Sequence, residues 1–150
     1  MNEASNPAPS ASEMRAYAYR LLGAREHSIL ELRQKLRRKW PDADADSLVE
    51  ALVEENLLSD ERFVESFVRS RMQRSQGPLK IRAQLRARGV SDALIGAALD
   101  EQSHNWTDLA ADWLHRQHAG PVEYKEKTKL YRRLLNRGFT HDQAMDALNR

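Results

Sequence analysis

The sequence contains no cysteine, so disulfides and thiolate metal sites are excluded and a reducing cytosol is the expected compartment. Apolar runs stay far short of the roughly 20 residues a membrane span needs, and the N-terminus lacks a signal-peptide pattern. Runs of β-branched residues are missing, and strands lose their usual material with them. The HExxH zinc signature is absent. The long central stretch from Leu57 to Val90 holds no nucleophile, metal cluster or phosphate loop. These absences argue against an enzyme and leave a binding protein.

What is present is helix-forming. Leu, Ala, Arg, Glu and Gln dominate, and apolar residues recur every three or four positions. Helix starts are marked by capping-box patterns at Ser10 with Glu13, Ser28 with Glu31 and Thr140 with Gln143. Ser59 and Ser91 fit caps, and Pro78 after Gly77 fits a first helical position. Gly89 and Gly138 each follow a basic helix and precede an apolar residue, as helix-ending glycines do. The pattern predicts nine helices, at 11–23, 29–39, 45–56, 60–74, 78–88, 92–101, 107–117, 123–137 and 141–149. The small, polar, proline-containing opening, residues 1–10, reads as a disordered tail.

Nine short helices suggest three units of three, and internal spacing agrees. A step of 46 aligns Tyr17, Phe63 and Leu109, and likewise Leu21, Phe67 and Trp113. A step of 49 aligns Leu32, Ile81 and Leu130, then Leu36, Leu85 and Leu134, then Lys39, Arg88 and Arg137. The expected fold is therefore all-α, with three tandem three-helix repeats over 11–56, 57–102 and 103–150. A repeat of about 45 residues is marginal alone, so neighbours should stack into an elongated, curved array of either hand. Tyr17, Phe63, Phe67, Trp113 and Phe139 fall on core positions of that pattern, whereas Trp40, Trp106, Tyr124 and Tyr131 are less clearly internal.

The net charge is only +2, but its distribution is banded. Residues 42–65 balance to −8, residues 69–88 to +7 and residues 125–137 to +5. No carboxylate occurs between Glu65 and Asp92. An isolated charged helix is usually just a solvated face. Here each of three successive units carries a basic second helix, with Arg33 and Arg37 in the first matching Arg82 and Arg86, so a binding face is favoured. The candidate residues are Arg69, Arg71, Arg74, Lys80, Arg82 and Arg86, followed by a second patch of Lys125, Lys127, Lys129, Arg132 and Arg133. Arg69 has Glu65 one turn earlier, while Arg71 and Arg74 have no local acid.

Other candidates are weaker. Asp42, Asp44 and Asp46 alternate like part of an EF-hand loop but lack its Gly and closing Glu, so they are read as caps for the next helix. His115 and His118, with Asp112 a turn earlier, have no second cluster to complete a metal site and are read as surface histidines. A helix-turn-helix reading places the basic charge before the turn, on the wrong helix for reading bases.

Several of these residues together resemble the RecX family. They are Glu26-His27-Ser28 with Glu31-Leu32, the run Leu58-Ser59-Asp60-Glu61-Arg62-Phe63, and Gly77-Pro78 with Ile81, Leu85 and Arg88-Gly89-Val90. The C-terminal KLYRRLLNRGFTHDQAMDAL is similar to that family's last repeat, and the likeness runs from about Met14 to Arg150. Arg88 and Arg137 stand where many members have lysine, and Trp40-Pro41 replaces the first unit's usual turn. The resemblance implies a cytoplasmic regulator of the RecA recombinase, without cofactor and monomeric. Such proteins lie in the groove of the RecA filament on single-stranded DNA, with DNA contacts weak or indirect. They suppress its ATP hydrolysis, strand exchange and repressor cleavage. The charge pattern leaves an alternative, a non-sequence-specific DNA-binding helical module that competes for single-stranded DNA, and a weaker one, an adaptor for an unrelated acidic protein.

Overall fold

The computed structural model describes residues 8–150, and the described chain is helical throughout. In order come α1 (Ala11–Ala24), α2 (Ile29–Lys39), α3 (Ala45–Glu54), α4 (Asp60–Gln73), α5 (Pro78–Ala87), α6 (Asp92–Glu101), α7 (Trp106–Gln117), α8 (Tyr124–Asn136) and α9 (His141–Leu148). Each helix lies where the sequence predicts it, with ends shifted by two residues or fewer. Residues 1–7 of the expected tail lie outside the described part.

Local chemistry explains the starts and stops. Ser28 and Thr140 form complete capping boxes with Glu31 and Gln143. Ser10, Ser59 and Ser91 each accept one backbone N–H in the first turn of their helices. Asp44 caps α3, accepting from the Ser47 amide, as its position suggested. Gly89 and Gly138 end α5 and α8 in the left-handed region, at φ 76° and 99°.

Contacts divide the chain into two compact units, one ending at Phe63 and one beginning at Val64. In the first, Met14 and Ala18 of α1, Leu32 and Leu36 of α2, and Leu48, Val49 and Leu52 of α3 close a core with Leu58. Tyr17 is only half-buried, against the expectation of a core position; it packs edge-on to Trp40 at 5.4 Å. Asp60 accepts from the Ile29 amide at 2.7 Å, satisfying a donor that the start of α2 cannot pair internally. Arg62 reaches Glu26 at 3.0 Å, and Arg15 reaches Glu55 at 2.9 Å.

In the second unit, Trp113 and Leu114 of α7, Leu130 and Leu134 of α8, Phe139, and Ala144, Ala147 and Leu148 of α9 form one core. Phe67, Val68, Ile81, Leu85, Val90, Ile95 and Leu99 are buried along α4 to α6. Trp106, left unassigned by the sequence, is 3% exposed, with its indole N–H donated to the Leu99 carbonyl at 3.2 Å. Asn105 gives α7 no side-chain cap, so this buried indole anchors the helix start instead. No helix among the described residues is long and apolar enough to cross a membrane.

Candidate functional site

The site begins with the turn between α4 and α5. Ser75 is buried and sits at φ 56°; the Arg71 and Met72 carbonyls in the last turn of α4 accept from amides of the turn that follows. Arg137, from the end of α8, supplies donors to the carbonyls of the turn itself. Its Nε donates to the Ser75 carbonyl at 2.9 Å and its Nη2 to the Arg74 carbonyl. A cation there also complements the negative end of the helix dipole. Arg116 of α7 donates to the Ser75 hydroxyl at 2.7 Å.

Two backbone bonds lock the same turn against the α8–α9 connector. The Gly77 amide donates to the Arg137 carbonyl at 2.7 Å, and the Leu79 amide to the Gly138 carbonyl at 2.9 Å. A Cβ on Gly77 would collide with the backbone of Gly138 and Phe139, and one on Gly138 with Lys80. Only glycines permit this approach.

The consequence is electrostatic. Arg74 is exposed on the turn, and Lys80 is exposed with its Cβ against Gly138. Arg133 and Arg137 lie one turn apart on the C-terminal part of α8, with guanidinium carbons 5.0 and 5.2 Å from the Trp113 ring centre. The Gly77–Gly138 contact thus joins the segments that carry members of both sequence-predicted patches, Arg74 and Lys80 on one side and Arg133 on the other. Arg116 and Arg137 join them. The sequence reading missed both, treating Arg137 only as the counterpart of Lys39 and Arg88.

The other candidates have different surroundings. Arg71 is half-buried with its guanidinium 4.4 Å from the Phe67 ring centre, and Arg88 lies 4.7 Å from the same ring. Arg71 thus has a local partner, an aromatic one, where the sequence suggested none. Arg86 pairs at 2.9 Å with Asp92, the first acid after the carboxylate-free stretch. Arg33 and Arg37 both reach Asp46, at 3.1 and 2.8 Å, so these two cations of the matching helix share one carboxylate. Asp46 is accordingly an ion-pair partner as well as a first-turn acid. Arg69 and Arg82 enter no ion pair among the described residues. Along α8, Lys125, Lys129 and Arg132 are exposed and Lys127 is half-buried. Glu126, the acid in that run, turns to His118 Nδ1 at 2.8 Å, whose Nε2 meets the Pro121 carbonyl at 3.1 Å.

Burial pushes the Arg137 guanidinium below its ordinary value, and the positive charges of Arg133 and Arg116 push it further the same way. No carboxylate of the described residues pairs with any of these three. Nor does any group of three His, Cys, Asp or Glu side chains among the described residues gather to hold a metal ion. What this surface offers is fixed guanidinium and ammonium donors, which suit oxyanions.

An all-helical chain with arginines that no carboxylate of the described residues pairs is the class the structure defines. Known proteins make the class specific. The family description "RecX, first three-helix domain" matches residues 15–52, and "RecX, second three-helix domain" matches residues 59–99. The regulatory protein RecX of Chromohalobacter salexigens is 43% identical over 134 residues, covering 87% of this chain and 88% of that one. Its namesake in Halorhodospira halophila is 42% identical over 144 residues, covering 93% and 89%. The crystal structure of RecX from Lactobacillus salivarius shares the fold, with a TM-score of 0.77 over 92% of this chain and 94% of that one at 22% identity. The chain belongs to the RecX family, and these relatives are named regulatory proteins.

Proposed function

We propose that this protein is a negative modulator of the RecA recombinase. It binds the RecA filament on single-stranded DNA and suppresses ATPase, strand-exchange and coprotease activities. The observation that carries this reading beyond family membership is the gathering of Arg116, Arg133 and Arg137 around Ser75 and Trp113, with Arg74 and Lys80 exposed on the segment that the Gly77–Gly138 contact holds beside them. A cluster of cations addresses a charged filament groove. Lys125, Lys127, Lys129 and Arg132 extend the same sign along α8, and Arg69, Arg71, Arg82 and Arg86 along α4 and α5. We assign the interface to these residues, and the body to three three-helix repeats over 11–56, 57–102 and 103–150. Burial of Leu32, Ile81 and Leu130, and of Leu36, Leu85 and Leu134, supports that repeat. The protein acts in the cytoplasm as a monomer, without a cofactor, and touches DNA weakly or indirectly.

The test is an ATPase titration on preformed RecA filaments with single-stranded DNA in excess. Inhibition at substoichiometric protein is expected. Unchanged ATPase and filament length at excess protein and moderate salt would remove the reading. Inhibition that disappears once DNA saturates would favour the alternative, competition for single-stranded DNA. That alternative draws on Arg69, Arg74, Lys80 and Arg82, cations with no ion pair among the described residues, which suit a phosphate backbone, and it predicts a steep salt slope.

A further inference from the structure

We propose that Arg116 and Arg133, with Arg137 beside them, form a binding site for a dianionic phosphate group. The assignment does not depend on RecA and stands or falls with the purified chain.

Like charges separate in solution unless the fold holds them together, and here the fold does so with no acid among the described residues paired to them. Arg137 is fixed by the carbonyls of Arg74 and Ser75, Arg116 by the Ser75 hydroxyl, and Arg133 by the Gln117 side-chain oxygen at 3.0 Å. Every one of those partners is neutral. Burial, and after it repulsion by Arg133 and Arg116, lowers the affinity of Arg137 for its proton, and a bound anion is the direct means of relieving the repulsion.

Donor supply points the same way. Arg116 and Arg133 are exposed and each uses only its Nη2 in these hydrogen bonds. The Nε and Nη1 hydrogens of both remain for a ligand in the fork geometry that matches phosphate oxygens. A phosphodiester carries one negative charge, whereas a terminal phosphate carries nearly two and better balances three clustered guanidiniums. Trp113 is 4% exposed and has guanidiniums across its ring, so no base stacks on it. Recognition is of the phosphate, not of a nucleobase. Two carriers present that chemistry, a nucleoside polyphosphate and the 5′-phosphate end of a DNA strand.

The experiment titrates the full chain with inorganic phosphate and, at equal ionic strength, with chloride. Thermal midpoint and the NMR signals of the arginine Nε–H groups are followed. A saturable rise in midpoint with phosphate alone is expected. Arg116→Gln and Arg133→Gln should each weaken phosphate binding roughly tenfold or more, the usual cost of losing a charged hydrogen bond. A Lys125→Gln, Lys129→Gln double variant removes twice the charge of either, elsewhere on α8, and should still bind phosphate as the parent does. Arg133→Gln is the decisive variant, because Arg133 holds no backbone group in place. Equal effects of chloride and phosphate, unweakened binding by Arg133→Gln, or an equal loss in the lysine variant would each overturn the site. Titration with ATP and with a 5′-phosphorylated oligonucleotide then assigns the carrier, the tighter of the two being the ligand.

Discussion

Gly77 and Gly138 meet backbone to backbone, so closely that neither position has room for a Cβ. They lie far apart in the sequence, and each also has a local job: Gly77 opens α5 ahead of Pro78, and Gly138 ends α8. Their non-local contact seats the α4–α5 turn on the end of α8, and cations carried by three helices gather around it.

Replacing either glycine by alanine should therefore cost more than a turn glycine usually does. Gly138→Ala adds a left-handed backbone penalty to the collision with Lys80, and about 2 kcal/mol or more of lost stability is expected. Gly77→Ala collides with backbone and should cost a similar amount, whereas Gly23→Ala, with open space around it, should be neutral or stabilising. Urea unfolding of the three variants checks this. A loss below about 0.5 kcal/mol at Gly138 would contradict the contact.

Helices are legible in this sequence because caps, glycines and apolar spacing are all local signals, and they agree with one another. The charge bands were legible for the same reason. Partners distant in sequence were not. Nothing near Arg137 says that it faces the end of a helix more than sixty residues away. Nothing near Arg86 says that Asp92 reaches back to it. Trp106 and His27 sit at helix edges, where periodicity says little, yet both are buried. Composition locates charge along the chain, but only packing decides which charges are neutralised and which are gathered.

Arg137 should matter to stability more than its position on a basic helix suggests. It donates to two carbonyls of the α4–α5 turn, and Arg137→Ala leaves both without that partner. A loss of about 1–3 kcal/mol is expected, with Arg137→Lys intermediate because one ammonium cannot reproduce the two-pronged contact. Arg132→Ala on the exposed face of the same helix should change stability by less than about 0.5 kcal/mol. Equal losses at positions 132 and 137 would remove the capping role.

Inhibition of RecA should respond unequally to charge removal within the predicted patch. Arg74 and Lys80 carry no ion pair among the described residues, while Arg86 is already paired with Asp92. Arg74→Gln with Lys80→Gln should raise the half-inhibiting concentration several-fold, and Arg86→Gln should change it little. Circular dichroism should show helicity retained in both. A larger effect at Arg86 than at the pair would move the interface from the Gly77–Gly138 junction to the outer face of α5.

His27 gives the fold a pH dependence with a definite sign. Its ring is 1% exposed; Nδ1 lies 3.1 Å from the Arg25 carbonyl and Nε2 lies 2.8 Å from the Lys35 ammonium. The neutral tautomer fits both, with Nδ1–H donating to the carbonyl and Nε2 accepting from Lys35. Burial pushes the imidazole below its ordinary value of 6.5, and the charges of Arg25 and Lys35 act in the same direction, against the Arg25 carbonyl and Glu31. The unfolded chain therefore binds a proton that the folded chain refuses. Stability from this residue is fully present above pH 6.5 and is lost as pH falls below it, at up to about 1.4 kcal/mol per pH unit. Burial raises Glu31, but hydrogen bonds from Arg25 and the Ser28 amide bring it below its ordinary 4.5, so its own loss begins in a more acidic range. Urea unfolding at pH 7.5, 6.5 and 5.5 should show a falling stability in the parent and a flatter profile in His27→Gln. Parallel profiles would mean that His27 accepts its proton in the folded protein as readily as in the unfolded chain, which the Lys35 contact forbids.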